Sequence, residues 1–177
     1  KRQPLFVWMG EILFRTKLSE NLFKGLSPWL QKMPGGLIHV NVVGCALFAA
    51  ISGSSAATVA TVGKMSIPEL RKRNYPEKIL LGSLAGSGTL GLLIPPSIIL
   101  IIYGVAVQES IAKLFIAGII PGIMIALIFM SYVIIWSLIN KKEMPKILDE
   151  FSFLEKIRRS KQLLPVILLI SAVIGSI

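Results

Sequence analysis

From Ile79 to Val107 the chain carries no formal charge. A run of that length suffices to cross a bilayer, which takes roughly 20 apolar residues. Its centre, however, is made of residues that break helices. Between Ser83 and Ser97 it reads Ser-Leu-Ala-Gly-Ser-Gly-Thr-Leu-Gly-Leu-Leu-Ile-Pro-Pro-Ser. Glycine costs about 1 kcal/mol in a helix interior and proline about 3 kcal/mol. The proline pair also removes two backbone donors. Unwound backbone persists at membrane depth only where protein buries it or where it lines a wet cavity. There its freed carbonyls serve as cation ligands. The alternative reading is a proline-kinked helix whose small residues allow close packing.

Composition agrees with a membrane setting. Hydrophobic residues make up 54% of the 177, charged residues 16%, and the mean hydropathy is +0.74. These values predict an all-α membrane protein, with apolar helices and few charges. A net charge of +10 would suggest nucleic acid in a soluble chain. Here the basic residues cluster between apolar segments, as the positive-inside rule requires, and no nucleic-acid partner is expected. Cys45 is the single cysteine, so no internal disulfide and no metal motif are expected. The chain begins at Lys1 and stops at Ile177 inside an apolar run, which reads as a fragment. No signal-peptide pattern is present.

In chain order, residues 1–32 read as the end of a spanning helix (5–14) followed by an interfacial arm helix. In that arm Leu18, Leu22, Leu26 and Trp29/Leu30 recur at helical spacing, with Phe23 beside them. Arg15, Lys17, Lys24 and Lys32 fill the other face, and Pro28 bends or ends the helix. A peripheral connector is the alternative. Residues 33–64 read as a re-entrant helical hairpin. The uncharged run is opened by Pro34-Gly35-Gly36 and interrupted by Ile51-Ser52-Gly53-Ser54-Ser55-Ala56-Ala57-Thr58. Its arms, about 37–51 and 56–63, are too short to cross with ease. The hydroxyls and free carbonyls of the tip suit a weakly held hard cation. The N-terminus of the second arm favours an anionic group. One long helix with a Ser/Gly kink remains the alternative.

Residues 65–139 hold a basic connection, the broken segment 79–107, a short outer connection at 108–113, and a second uncharged run at 114–139. Gly82/Gly86 and Gly118/Gly122 each form a small-residue pair at four-residue spacing, which reads as packing. Residues 140–177 give a basic amphipathic connector and the start of another span. Charge asymmetry puts 64–78 and 140–162 in the cytoplasm and 108–113 outside. No nucleophile–base pair is visible, so no enzyme is expected. Gly86-Ser87-Gly88-Thr89 lacks the lysine of a phosphate loop. His39 has no partner at ligand spacing and reads as a packed or interfacial histidine. Asp149 and Glu150 fall in the basic connector, so sodium coupling fits better than a proton relay.

Three segments in this order resemble a known family: Pro4-Leu5-Phe6 to Gly10-Glu11, Ser52 to Thr58, and Gly86-Ser87-Gly88-Thr89-Leu90-Gly91 to Ile94-Pro95-Pro96-Ser97. They are similar to the large membrane subunit of TRAP (tripartite ATP-independent periplasmic) transporters, and the likeness covers essentially the whole chain. The resemblance implies the first of two inverted repeats in an elevator-type protein of the bacterial inner membrane. It implies sodium-driven import of an organic acid such as a C4-dicarboxylate or sialic acid. The implied partners are a small membrane subunit and a periplasmic substrate-binding protein. Ser52, Ser55, Gly91, Ile94 and Pro95 would then contribute to a Na⁺ site, with Ser54 and Thr58 facing substrate or the ion. Sodium is the only cofactor implied, as coupling ion. A binding-protein-independent sodium/dicarboxylate symporter and a structural membrane subunit are the alternatives.

Overall fold

The computed structural model describes residues 18–145, together with the isolated positions 158, 163 and 164. The readings of 5–14, of 146–162 as a connector and of 163–177 as a further span lie outside these residues, apart from those three positions. Among the described residues the chain is helical, with no strand. Six α-helices are present: α1 (Leu18–Leu30), α2 (His39–Ser52), α3 (Ser55–Lys72), α4 (Glu77–Gly88), α5 (Ile98–Ala106) and α6 (Ile111–Ile139). Short 3₁₀ turns at Gly36–Ile38 and Thr89–Leu92 precede α2 and follow α4.

α2 and α3 form an antiparallel hairpin. α2 ends where Gly53 takes the left-handed conformation (φ 58°) and returns its N–H to the Ala49 carbonyl. Only glycine adopts that geometry without penalty, and it is a standard helix stop. Ser54 then caps α3, its hydroxyl accepting from the Ala57 N–H at 3.5 Å. Side by side lie Gly44 of α2 and Val62 of α3, nine residues either side of the turn. α3 does not stop at Lys64, where the apolar pattern ends, but continues through Pro68 to Lys72. The hydropathy boundary is where side chains become charged. The helix crosses it even though Pro68 has no N–H to give the Lys64 carbonyl, and Arg71 and Lys72 in the last turn complement the negative end of the helix dipole.

α4 lies parallel to α2 and antiparallel to α3. Gly63 and Gly88 let α3 and α4 close: a Cβ on Gly63 would stand 2.8 Å from Leu84 Cδ2, and one on Gly88 would overlap Val59. Cys45, Phe48, Ile51, Val62, Leu70, Leu80 and Leu84 fill the space between the three helices. Phe23 and Leu26 of α1 join this core, so one face of α1 packs on the hairpin. Trp29, one turn on from Leu26, stays exposed.

α6 runs antiparallel along the whole broken segment. Val133 packs against Ile38 and Ile79, and Phe129 lies against Gly86. Gly122 faces Ile94, Gly118 faces the Leu93 carbonyl, and Leu114 meets Gly104 of α5. Gly82 faces open space, so of that pair only Gly86 packs. α6 is long and apolar enough to cross a membrane, by length and composition. It is apolar yet largely uncovered, with Ile116, Ile120, Ile123, Met124, Leu127 and Ile128 all exposed. Such a helix needs an apolar surrounding.

One end of the bundle gathers the hairpin root, the start of α4 and the end of α6. There Tyr75, Trp136 and Met144 pack around Ile38, Ile79 and Val133. The Tyr75 hydroxyl accepts from the Leu37 N–H at 3.1 Å. Burial pushes that phenol up from its usual value, against the opposing effects of this hydrogen bond and of nearby Arg73. His39 is buried and meets the Pro34 carbonyl at 2.7 Å through Nε2. A carbonyl only accepts, so Nε2 carries the proton. The histidine is a packed one, holding the Pro34-Gly35-Gly36 entry to α2.

Candidate functional site: the hairpin tip docked in the helix break

The hairpin tip is a small hydroxyl cluster. Thr58 Oγ1 donates to the Ser54 carbonyl at 2.8 Å, which directs its lone pairs toward Ser52 Oγ, also 2.8 Å away. Ser52 and Thr58 are buried; Ser54 and Ser55 are partly buried. Ser55 Oγ is itself buried and has no hydrogen-bond partner among the described residues. A buried hydroxyl without a partner is costly, on the order of 1–3 kcal/mol. Ser55 therefore marks where a further ligand would be welcome.

The break docks onto this tip. α4 tightens into the 3₁₀ turn Thr89–Leu92, and Leu93 to Ser97 then run without regular structure to α5. Gly91 presses on the peptide between Ser54 and Ser55: a Cβ there would lie 2.9 Å from Ser55 N and 3.0 Å from Ser54 C. Gly53 is equally tight, since a Cβ would overlap the Pro96 carbonyl oxygen. Its own carbonyl accepts from the Ile98 N–H at 3.4 Å, at the start of α5. Ser97 Oγ donates back to the Leu92 carbonyl at 2.7 Å, holding the loop closed. The peptide between Pro95 and Pro96 is cis.

The structure thus brings Ser52, Ser54, Ser55, Thr58 and Gly91 together. Ile94 and Pro95 belong to the same loop, but their side chains face α6 at Gly122 and Gly118. Gly118 and Gly122 lie seven and eleven residues into the 29-residue α6, about 11 and 17 Å from its start at 1.5 Å per residue. The docked tip is therefore well inside the length of a spanning helix. Sequence reading assigned no role to Gly53, Gly88 and Pro96, although all three sit inside the motifs it singled out. It also passed over Asn41, whose signal was an amide in an otherwise apolar arm. Asn41 is fully buried, its Nδ2 donating to the Leu80 carbonyl at 3.2 Å and to Ser83 Oγ at 3.0 Å.

Chemically, the site offers hydroxyl and main-chain oxygens and the N-termini of α3 and α5. No Lys or Arg occurs in 33–63 or 79–107. No group of three or more His, Cys, Asp or Glu that would hold a metal occurs among the described residues. That donor set suits a hard monovalent cation and an anion held by dipoles, not a transition metal.

Fold and site define a helical membrane protein in which a hairpin tip plugs into a broken helix. Residues 3–177 match the family described as "Tripartite ATP-independent periplasmic transporter, DctM component", and the chain belongs to that family. It is similar, at 36% identity over 174 residues, to the C4-dicarboxylate TRAP transporter large permease protein DctM of Pseudomonas aeruginosa, covering 98% of this chain and 40% of that protein. The sialic acid TRAP transporter permease protein SiaT of Haemophilus influenzae is 40% identical over 128 residues, 72% of this chain and 21% of its own. The ectoine TRAP transporter large permease protein TeaC of Halomonas elongata is 37% identical over 137 residues, 77% of this chain and 32% of its own. The chain spans well under half the length of these relatives.

Proposed function

We propose that this chain forms part of the large permease subunit of a sodium-driven importer of an organic acid in the bacterial inner membrane. It would work with a small membrane subunit and a periplasmic substrate-binding protein. The observation that carries the reading is the docking of the hairpin tip on the break, with the unpartnered Ser55 hydroxyl at the contact. Ser55 Oγ, with main-chain oxygens of the Gly91–Pro95 stretch, would hold Na⁺, whose gradient supplies the driving free energy when it binds. Ser52 and Thr58 already satisfy each other, so they shape the tip and contribute less as ligands. Ser54 and the first turn of α3 face the substrate's anionic group. The names of the relatives, covering a C4-dicarboxylate, sialic acid and ectoine, support a small polar organic substrate without choosing among them.

Mutual packing of tip, break and α6 supports their moving as one body, as an elevator requires. The hairpin root and the basic stretch near Tyr75 share one end of the bundle, which supports a hairpin entering and leaving on the cytoplasmic side. The test is uptake into proteoliposomes holding the full permease and small subunit, with binding protein outside and an imposed sodium gradient. Labelled C4-dicarboxylate, sialic acid and ectoine are supplied in turn. Accumulation of one of them that needs both sodium and binding protein is expected. Accumulation without binding protein would favour the stand-alone symporter. No accumulation of any compound would favour a structural subunit.

A further inference from the structure

We propose that Asn41 is a positioning residue that holds the hairpin in register with α4, and so keeps the tip seated on the break. This rests on the transport reading above. Asn41 lies eleven residues before Ser52 on α2, about 17 Å away along the helix. It touches neither tip nor break. Both of its amide hydrogens are spent on α4: one on the Leu80 carbonyl, the other on Ser83 Oγ. The Ser83 hydroxyl donates to the Leu80 carbonyl at 3.0 Å, which leaves its lone pairs for Asn41. One turn on, Ser87 Oγ donates to the Ser83 carbonyl at 2.5 Å and reaches the main-chain carbonyl of Asn41 at 3.4 Å, while Asn41 Oδ1 has no partner among the described residues. A continuous polar seam joins the two helices, with Asn41, Ser83 and Ser87 all buried.

Apolar packing alone does not fix the sliding of two parallel helices, since leucine surfaces repeat every turn. A buried amide does, because a slip of one turn, about 5.4 Å, strands both of its donors among apolar side chains. The role is that of a single buried asparagine setting register in a coiled coil. Slippage here would move Gly53 relative to Pro96 and Ser55 relative to Gly91, which are the contacts that form the site. A protein that occupies the seated register for only part of the time binds its ion more weakly in proportion, with the maximal rate largely kept.

The experiment uses the full permease with its partners and three variants: Asn41→Leu, Ser83→Ala, and the swap Asn41→Ser with Ser83→Asn. Two readouts are taken. One is the sodium dependence of uptake. The other is the distance distribution between spin labels on Ala56→Cys and Leu92→Cys, both exposed positions on either side of the contact. Asn41→Leu is expected to raise the half-saturating sodium concentration about three- to tenfold with the maximal rate within about twofold, and to broaden the label distance. Ser83→Ala should shift the same quantity by about twofold. The swap rebuilds an amide–hydroxyl bond across the seam and should return both readouts close to those of the original protein. Original sodium dependence and label distances in Asn41→Leu would overturn the proposal. So would a swap that behaves no better than Asn41→Leu, since volume alone would then be at stake. If Asn41→Leu does not insert, the other two variants decide by the same criteria. If the unaltered protein shows no sodium-dependent uptake, the transport reading fails, while the label distances still report on register.

Discussion

At the scale of single residues, the site depends on absent side chains as much as on present ones. Gly53 carries two separate demands, a left-handed φ of 58° and a Cβ position filled by the Pro96 carbonyl. Leaving glycine there costs an L-residue about 1–2 kcal/mol in the backbone alone. Gly53→Ala should therefore abolish the docking of the tip and reduce uptake at least tenfold in an inserted protein, as measured by initial rates per permease. Ser55→Ala removes a hydroxyl that has no internal partner, so it should weaken sodium dependence while leaving thermal stability unchanged or slightly raised. Ser52→Ala should do the reverse, lowering the melting temperature more than the sodium affinity, because Ser52 Oγ is engaged with Thr58. Differential scanning fluorimetry beside a sodium titration separates the two. Tyr75→Phe strands the buried Leu37 N–H and should destabilise the protein by about 1–3 kcal/mol. The phenol's raised pKa gives a matching pH dependence. The Tyr75 contribution is whole below its ordinary value of 10.0 and fades as pH rises through the higher folded value. The serines of the tip were legible in the sequence because hydroxyls cluster there without a charge. Gly53 and Asn41 were less so, since their importance comes from what lies opposite them, and that partner is some 40 residues further along.

At the scale of elements, α6 splints a helix that cannot continue. The residues that break it, Gly88, Gly91, Pro95 and Pro96, are all buried, so the backbone is supported where it breaks. A bulky residue at Gly118 would meet the Leu93 carbonyl, 2.8 Å from a Cβ, and the Leu100 side chain. Gly118→Leu should push the loop toward the tip and cost more activity than Gly82→Leu, whose site is open. Uptake rates of the two variants, at matched membrane levels, check this ordering. The break itself was readable from composition, because Gly88, Gly91 and the pair Pro95-Pro96 concentrate helix-breaking residues in one stretch, whereas Pro28, Pro68 and Pro121 stand singly and leave their helices unbroken. The end of α3 was not, since a charged residue such as Lys64 stops an apolar pattern without stopping a helix.

At the scale of the molecule, the chain divides into a basic end and an uncharged middle. Residues 71–78 and 141–142 carry most of the described positive charge, and Tyr75 and Met144 pack at the same end. Glu109 lies at the opposite end, beside Gly104 and Ile111. Cysteine at position 109 should label only from outside and cysteine at position 141 only from inside. An impermeant maleimide applied to whole cells and to inverted vesicles reads both directly.

The partners of the hairpin have a further consequence, for synthesis. Asn41 finds its acceptors on Leu80 and Ser83, and Gly53 its donor on Ile98. Forty-five residues separate the last pair, so at 5–20 residues per second the ribosome needs about 2–9 s to deliver it. For that interval the hairpin has left the exit tunnel with its amide and its turn unsatisfied. It must wait beside the insertion machinery, or under a chaperone, until the helix that receives it emerges. Quality-control proteases meet their opportunity in those seconds, before the nascent chain has closed on itself.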